Sequence, residues 1–246
     1  RWVFTEDNPN RSLQVAGALA AASRVLKNSN PSLSEECIKT ALELWKSENE
    51  KVKWINNKVF ALSELIMATG DPELIKTFTG MKDGIVKSFG SCASYVARVI
   101  HKIPDEEFKK DITNALSQYM SGLKKSSLTD SPYGVPYRPD VWGAGWTIMR
   151  FGVQQYFIHK AWPEYGSGEF YSNALNFVLG VHPGENTASF ASGIGSESVL
   201  VAYGTNREDW SFIPGGVVSG TGIIRPDLPE LKEWPYFWQQ TEYVMG

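Results

Sequence analysis

The side chain best suited to chemistry in this sequence is Glu242, which follows the aromatic run Trp234-Pro-Tyr-Phe-Trp238. Periodicity predicts a helix over residues 232–244, placing Trp238 one turn before Glu242 on the same face. An indole against a carboxyl strips water from it, raises its pKa and suits it to act as a general acid. A solvated helix glutamate is the plainer alternative. Upstream, the segment Tyr133–Trp146 is stiffened by prolines and delivers Tyr137, Asp140, Trp142 and Trp146 to the start of a helix. Aromatic planes beside carboxylates suit the apolar C–H faces and hydroxyls of sugars, and a core-packed tryptophan pair is the competing reading.

Two more stretches are too particular to be connectors. In Phe177–Gly195, Gly180 sits where a helix C-cap belongs and Pro183 follows it. His182 lies at that exit and reads as structural before it reads as catalytic. The glycine-rich Gly215–Gly222 lacks both a Gly-Lys-Ser/Thr ending and the G-x-G-x-x-G spacing, which sets phosphate binding aside. Cys37 and Cys92 match no metal-ligand spacing and read as buried free thiols.

Most of these residues fall in one half of the chain. Before residue 130 there are 18 Lys+Arg against 15 acids, with 6 Gly. From there on, 6 Lys+Arg face 12 acids, with 16 Gly and six of the nine Trp. The expected organisation is one partial domain over 1–246, with a helical scaffold at 1–130 and a loop-rich active-site part at 131–246. At 246 residues and 42% hydrophobic, the chain can bury a substantial core. A net charge of −3 recommends no nucleic-acid partner, and no apolar run reaches the roughly 18 residues of a membrane span.

The scaffold half reads as helices. Asn10 is expected to cap a first helix carrying Leu13, Ala16, Leu19 or Ala20, Ser23 and Leu26. Ser32-Leu-Ser-Glu35 has the form of a capping box before Cys37, Ile38, Ala41, Leu42 and Trp45. Residues 52–68 place Trp54, Ile55, Val59, Leu62, Leu65 and Ile66 on one face, stopped by Gly70. Asp71-Pro72 opens a short helix, and others are expected at 91–102, 105–123, 143–159 and 169–179. Strand signals are confined to 199–203 and 217–224, so the fold class is all-α.

The order of the motifs resembles the family 9 glycoside hydrolases. Leu179-Gly180-Val181-His182-Pro183 is similar to that family's Leu-Gly-x-Asn-Pro turn, with His at the Asn position. Ser189 before Gly193-Ile194-Gly195 and the run Gly216-Val-Val-Ser-Gly220 follow in the family's order, and Thr241-Glu242 falls on its Asn-Glu pair. Trp142-Gly-Ala-Gly145 looks like its Trp-Gly-Ser-Asn segment, and Asp7-Asn-Pro-Asn10 looks like its mid-domain. Two family motifs lack a clear counterpart. One is the substrate-contacting His-His-Arg, for which Arg207 is the nearest candidate. The other is the Asp-x-Gly-Asp that holds the general base.

The resemblance implies an (α/α)6 toroid of six helical hairpins with its N-terminal helices missing, so that this chain is a fragment of the catalytic domain. It implies hydrolysis of β-linked glucan or a related saccharide with inversion, which needs an acid and a base roughly 6.5–9.5 Å apart. Glu242 takes the acid's place, and Trp142, Trp146, Tyr203, Arg207, Trp210 and Trp238 become substrate contacts. The expected partners are a carbohydrate and the remainder of the same polypeptide, with no metal, cofactor, nucleic acid or membrane. A secreted or periplasmic location is expected from the family. A non-catalytic glycan-binding scaffold and a six-hairpin enzyme for amino sugars or uronic acids are the alternative readings.

Overall fold

The computed structural model describes residues 7–129, 134–136, 144–166, 168–181, 188–198, 214–222 and 240–245. Among them the chain is helical, with a few short strands. The helices are α1 (Pro9–Leu26), α2 (Pro31–Glu48), α3 (Ile55–Thr69), α4 (Pro72–Gly80), α5 (Lys82–Lys87), α6 (Phe89–Val99), α7 (Glu106–Thr129), α8 (Ala144–Ala161) and α9 (Gly168–Val178). The strands are β1 (Ala188–Ser189), β2 (Glu197–Ser198), β3 (Val218–Gly222) and β4 (Gln240–Met245). Two compact units are formed, Arg1–Tyr119 with Lys160–Trp162, and Met120–His159 with Pro163–Gly246.

In the first unit, Asx side chains start four of the helices, α1, α2, α4 and α7. Asn8 accepts from the Arg11 N–H at 3.2 Å, Asn30 from Leu33 at 3.2 Å, Asp71 from Glu73 at 2.8 Å and Asp105 from Phe108 at 2.9 Å. The first two starts lie ahead of the expected caps Asn10 and Ser32. Pro9 and Pro31 explain the shift: each has no N–H to satisfy and a φ fixed near the helical value, so it takes the first helical position. The preceding Asn is left to cap. Asn10 instead accepts a 3.2 Å bond from Asn57, tying α1 to α3. Gly70 ends α3 as expected, at φ +66° with its N–H on the Ile66 carbonyl. Trp54 departs from expectation, because it precedes α3 rather than lying on its buried face and is 66% exposed.

Leu13, Ala16 and Ala20 of α1 are fully buried, as are Ala41 of α2 and Val59, Leu62, Leu65 and Ile66 of α3. A Cβ at Gly17 would sit 2.5 Å from the Phe60 ring, so α1 approaches α3 through a position that only glycine fits. Phe60 in turn packs on Tyr95, their ring centroids 5.1 Å apart. At the centre, Glu64 is 1% exposed and lies between two guanidinium groups, Arg24 from α1 and Arg98 from α6, the latter at 2.5 Å. Cys37 and Cys92 are buried free thiols, and burial pushes the Cys92 thiol up.

In the second unit, Val135, Ile148, Ala174, Val178 and Ala191 form a buried core between α8, α9 and the segments beside them. Phe177 and Phe190 stack at 5.3 Å against it. Among the described residues no helix is long and apolar enough to cross a membrane.

Candidate functional site

The geometry of the loop-rich part is built outward from the end of α9. Gly180 takes φ +81°, and two crossed bonds close the helix, Val181 N–H to the Asn176 carbonyl at 2.8 Å and Gly180 N–H to Phe177 at 3.2 Å. This is the double-bonded glycine stop expected for Leu179-Gly180. The next described segment is sewn to that helix end. Phe190 N–H donates to the Val178 carbonyl at 2.9 Å. The buried Ser189 hydroxyl accepts from Ala191 N–H at 3.0 Å and faces the Val178 and Ala191 carbonyls at 3.3 and 3.1 Å. Gly195 takes φ +87°, and a Cβ there would lie 3.2 Å from the Leu179 carbonyl oxygen, so the turn closes tightly against the helix exit.

From Ser192 the hydrogen bonding passes to the glycine-rich stretch. Ser192 N–H donates to the Gly216 carbonyl at 2.9 Å, Gly215 N–H returns to the Ser192 carbonyl at 2.8 Å, and Ala191 bridges Val217. That stretch continues into β3, which pairs antiparallel with β4. In the register, Gly220 stands opposite Glu242 and Thr221 opposite Thr241, with an irregularity between Val218 and Gly220. Backbone bonds thus connect the α9 exit, the Ser189–Gly195 turn, the Gly215–Gly222 stretch and the strand that carries Glu242.

Glu242 is therefore on a strand, not on the helix predicted for residues 232–244. Thr241, Tyr243 and Val244 are β-branched or aromatic and favour extended backbone, and a glycine-rich partner permits close approach. The helical argument for an indole one turn from the carboxyl lapses with it, because the backbone that carries Glu242 has a strand's two-residue period and not a helical one. Trp146 lies in the first turn of α8, half-buried, and its buried indole N–H has no hydrogen-bond partner among the described residues. Trp142, Tyr203, Arg207, Trp210 and Trp238 lie outside the described residues, as do His182 and the expected strand at 199–203. Among the described residues no cluster of His, Cys, Asp and Glu could hold a metal.

One feature is absent from the sequence-based expectations, an apolar pocket of about 410 Å³ between α8 and α9. Met149, Val153 and Tyr156 line it from α8, and Leu175 and Val178 from α9. Its signal is present in the sequence: α8 carries Ile148 and Ile158 on one face and Met149, Val153 and Tyr156 on another, so it is apolar on more than one side.

No protein-family model and no curated protein matches this sequence. Solved structures do match its fold. The family 9 endoglucanase J30 superposes with a TM-score of 0.75 at 16% identity, over 96% of this chain and 50% of that one. A thermostable endoglucanase variant from Alicyclobacillus acidocaldarius gives 0.67 at 15% identity, over 91% of this chain and 48% of that one. The endoglucanase of the termite Nasutitermes takasagoensis gives 0.61 at 19% identity, over 87% of this chain and 57% of that one. The chain has the helical (α/α)6 fold of the family 9 endoglucanases and spans about half the length of the solved chains it matches.

Proposed function

We propose that this chain is part of the catalytic domain of an inverting glycoside hydrolase acting on β-linked glucan or a related saccharide. The observation that carries this reading is the pairing of Glu242 with Gly220, within an endoglucanase fold. It puts the candidate acid on the strand beside the glycine-rich stretch, at the end of a bonded path from the α9 exit. Glu242 would protonate the leaving glycosidic oxygen. The base that activates water across the sugar ring would come from the half of the fold that this chain does not span. Trp142, Trp146, Tyr203, Arg207, Trp210 and Trp238 would contact the saccharide. The missing His-His-Arg counterpart favours a second reading, a glycan-binding module of the same fold without the chemistry.

The test uses the isolated chain and the polypeptide extended through its flanking coding sequence. The isolated chain should not turn over a β-glucan or an aryl β-glycoside. The extended protein should do so and lose about 10²–10⁴-fold in kcat in the Glu242→Gln variant, the usual worth of a general acid. Glu242-dependent turnover by the isolated chain would overturn the two-part assignment. Saccharide binding by an extended protein with no turnover would establish the glycan-binding module.

A further inference from the structure

We propose that Gln240 is a saccharide contact beside Glu242, on a face of the β3–β4 pair that Gly220 and Gly222 keep clear for the sugar. The proposal rests on the reading of Glu242 as the general acid. In an antiparallel pair, residues directly opposite one another lie on the same face, and the faces alternate at each step along a strand. The register therefore puts Gln240 with Gly222, and Glu242 with Gly220, on one face, and the Thr241–Thr221 pair on the other. The first face carries two polar residues, each opposite a glycine. The second carries a cross-strand pair of β-branched residues, the usual way in which a sheet is held.

Backbone conformation does not call for these two glycines. Gly180, Gly193, Gly195 and Gly215 take positive φ, whereas Gly220 and Gly222 stand at ladder positions, whose extended backbone any residue adopts. A glycine there weakens the strand and packs against nothing, and its use is to let a ligand or another backbone come close. The ladder is also irregular between Val218 and Gly220, and such interruptions are frequent next to active sites. The residues across from the glycines select the occupant. Gln and Glu need hydrogen-bond partners, which an apolar helix face does not offer and the hydroxyls of a sugar do. Two steps along a strand advance about 6.6 Å, so a sugar seated over the Glu242 position also meets that of Gln240. An amide donates and accepts at once and carries no charge, so it suits hydroxyls and leaves the protonation of the neighbouring acid undisturbed.

The experiment measures turnover of a β-glucan oligosaccharide in the polypeptide extended through its flanking coding sequence. Gln240→Leu should lower kcat/KM about tenfold, the worth of one or two hydrogen bonds to the sugar. Gly222→Val favours the strand by propensity, so it should lower kcat/KM at least as far while the thermal midpoint holds or rises. Thr221→Val, on the opposite face, should leave turnover unchanged. Gln240→Glu sets a second carboxyl on the acid's face, and a like charge raises the acid's pKa. The acid must be protonated to act, so the alkaline limb of the kcat/KM profile should move up by roughly half a pH unit or more. A residue that merely braced the strand would not move that limb. Wild-type kcat/KM in Gln240→Leu and Gly222→Val overturns the proposal, and so does a limb that stays in place in Gln240→Glu. A lowered midpoint in Gly222→Val overturns it too, since the glycine then makes room for another backbone. If Glu242→Gln abolishes turnover while the Gln240 and Gly222 variants keep it, the contact falls and the function stands. An extended protein that binds the oligosaccharide without turnover refutes the acid's role: loss of that binding in Gln240→Leu and Gly222→Val keeps the contact, and unchanged binding overturns it. Neither binding nor turnover overturns both.

Discussion

In the first compact unit side chains do the positioning: α1, α3 and α6 meet around the Arg24–Glu64–Arg98 cluster, and Phe60 fills the space that Gly17 leaves. In the second unit the segments after α9 are positioned by backbone. Gly180, Gly193, Gly195 and Gly215 all take positive φ, and the bonds that join the segments run between main-chain groups or from a serine hydroxyl. The difference has a physical source. Regular helices satisfy their own backbone groups, so their side chains are free to decide how they pack. Irregular segments must find a partner for each buried N–H and C=O, and glycines and serines supply the turns and bonds that do so. A scaffold built the first way tolerates change at its surface, and a site built the second way is sensitive to single backbone positions.

The largest effect expected from this contrast is in the first unit. Glu64→Ala leaves two guanidinium groups, 26% and 25% exposed, facing one another without the buried carboxylate they share, and breaking a buried pair costs up to about 3–5 kcal/mol. Urea unfolding of the variant should show a loss of that size. A loss under about 1 kcal/mol would mean that the two arginines relax into solvent, and that side-chain burial alone holds the three helices.

A smaller and more local effect is expected in the second unit. Gly195→Ala forces a Cβ onto a backbone at φ +87° and toward the Leu179 carbonyl, which costs about 1–3 kcal/mol. Hydrogen exchange should quicken at the Phe190 and Ser192 amides, whose bonds depend on that turn, and stay unchanged at the buried amides of α3. Equal acceleration in both places would erase the distinction between the units.

The same contrast explains what is legible in the sequence. Helices α1 to α4 and α6 to α9 are readable because their apolar residues recur every three or four positions and Asx-Pro, Pro or Gly marks several of their ends. The error at Ser32 comes from weighing a capping-box pattern above the Asn30-Pro31 pair beside it, and the error at Asn10 from passing over the Asn8-Pro9 pair just before it. The six-residue α5 is too short to show a period. Gly180 is readable as a helix stop because its role is local. Glu242 is misplaced because Thr241-Glu-Tyr-Val suits a strand only when a partner strand exists, and that partner, β3, lies about 20 residues earlier. Pairing at that separation leaves no periodic trace in a single sequence. The groove between α8 and α9 escapes notice because apolar residues on two faces of a helix say that both are covered, not by what.

The smallest effect tests whether side chains in the second unit contribute polar order of their own. Gln155 on α8 is 1% exposed, and neither end of its amide has a hydrogen-bond partner among the described residues. Burying an amide unpaired is unfavourable, whereas an apolar side chain of similar shape removes the penalty and strands no partner. Gln155→Leu should therefore stabilise the chain by about 1 kcal/mol, seen as a rise of about 2–4 °C in the thermal midpoint. A fall of similar size would show that the amide is bonded to residues beyond the described ones. Part of the second unit would then be held by a buried side-chain contact, as the first is, and the contrast between the two would narrow to the turns around Gly180 and Gly195.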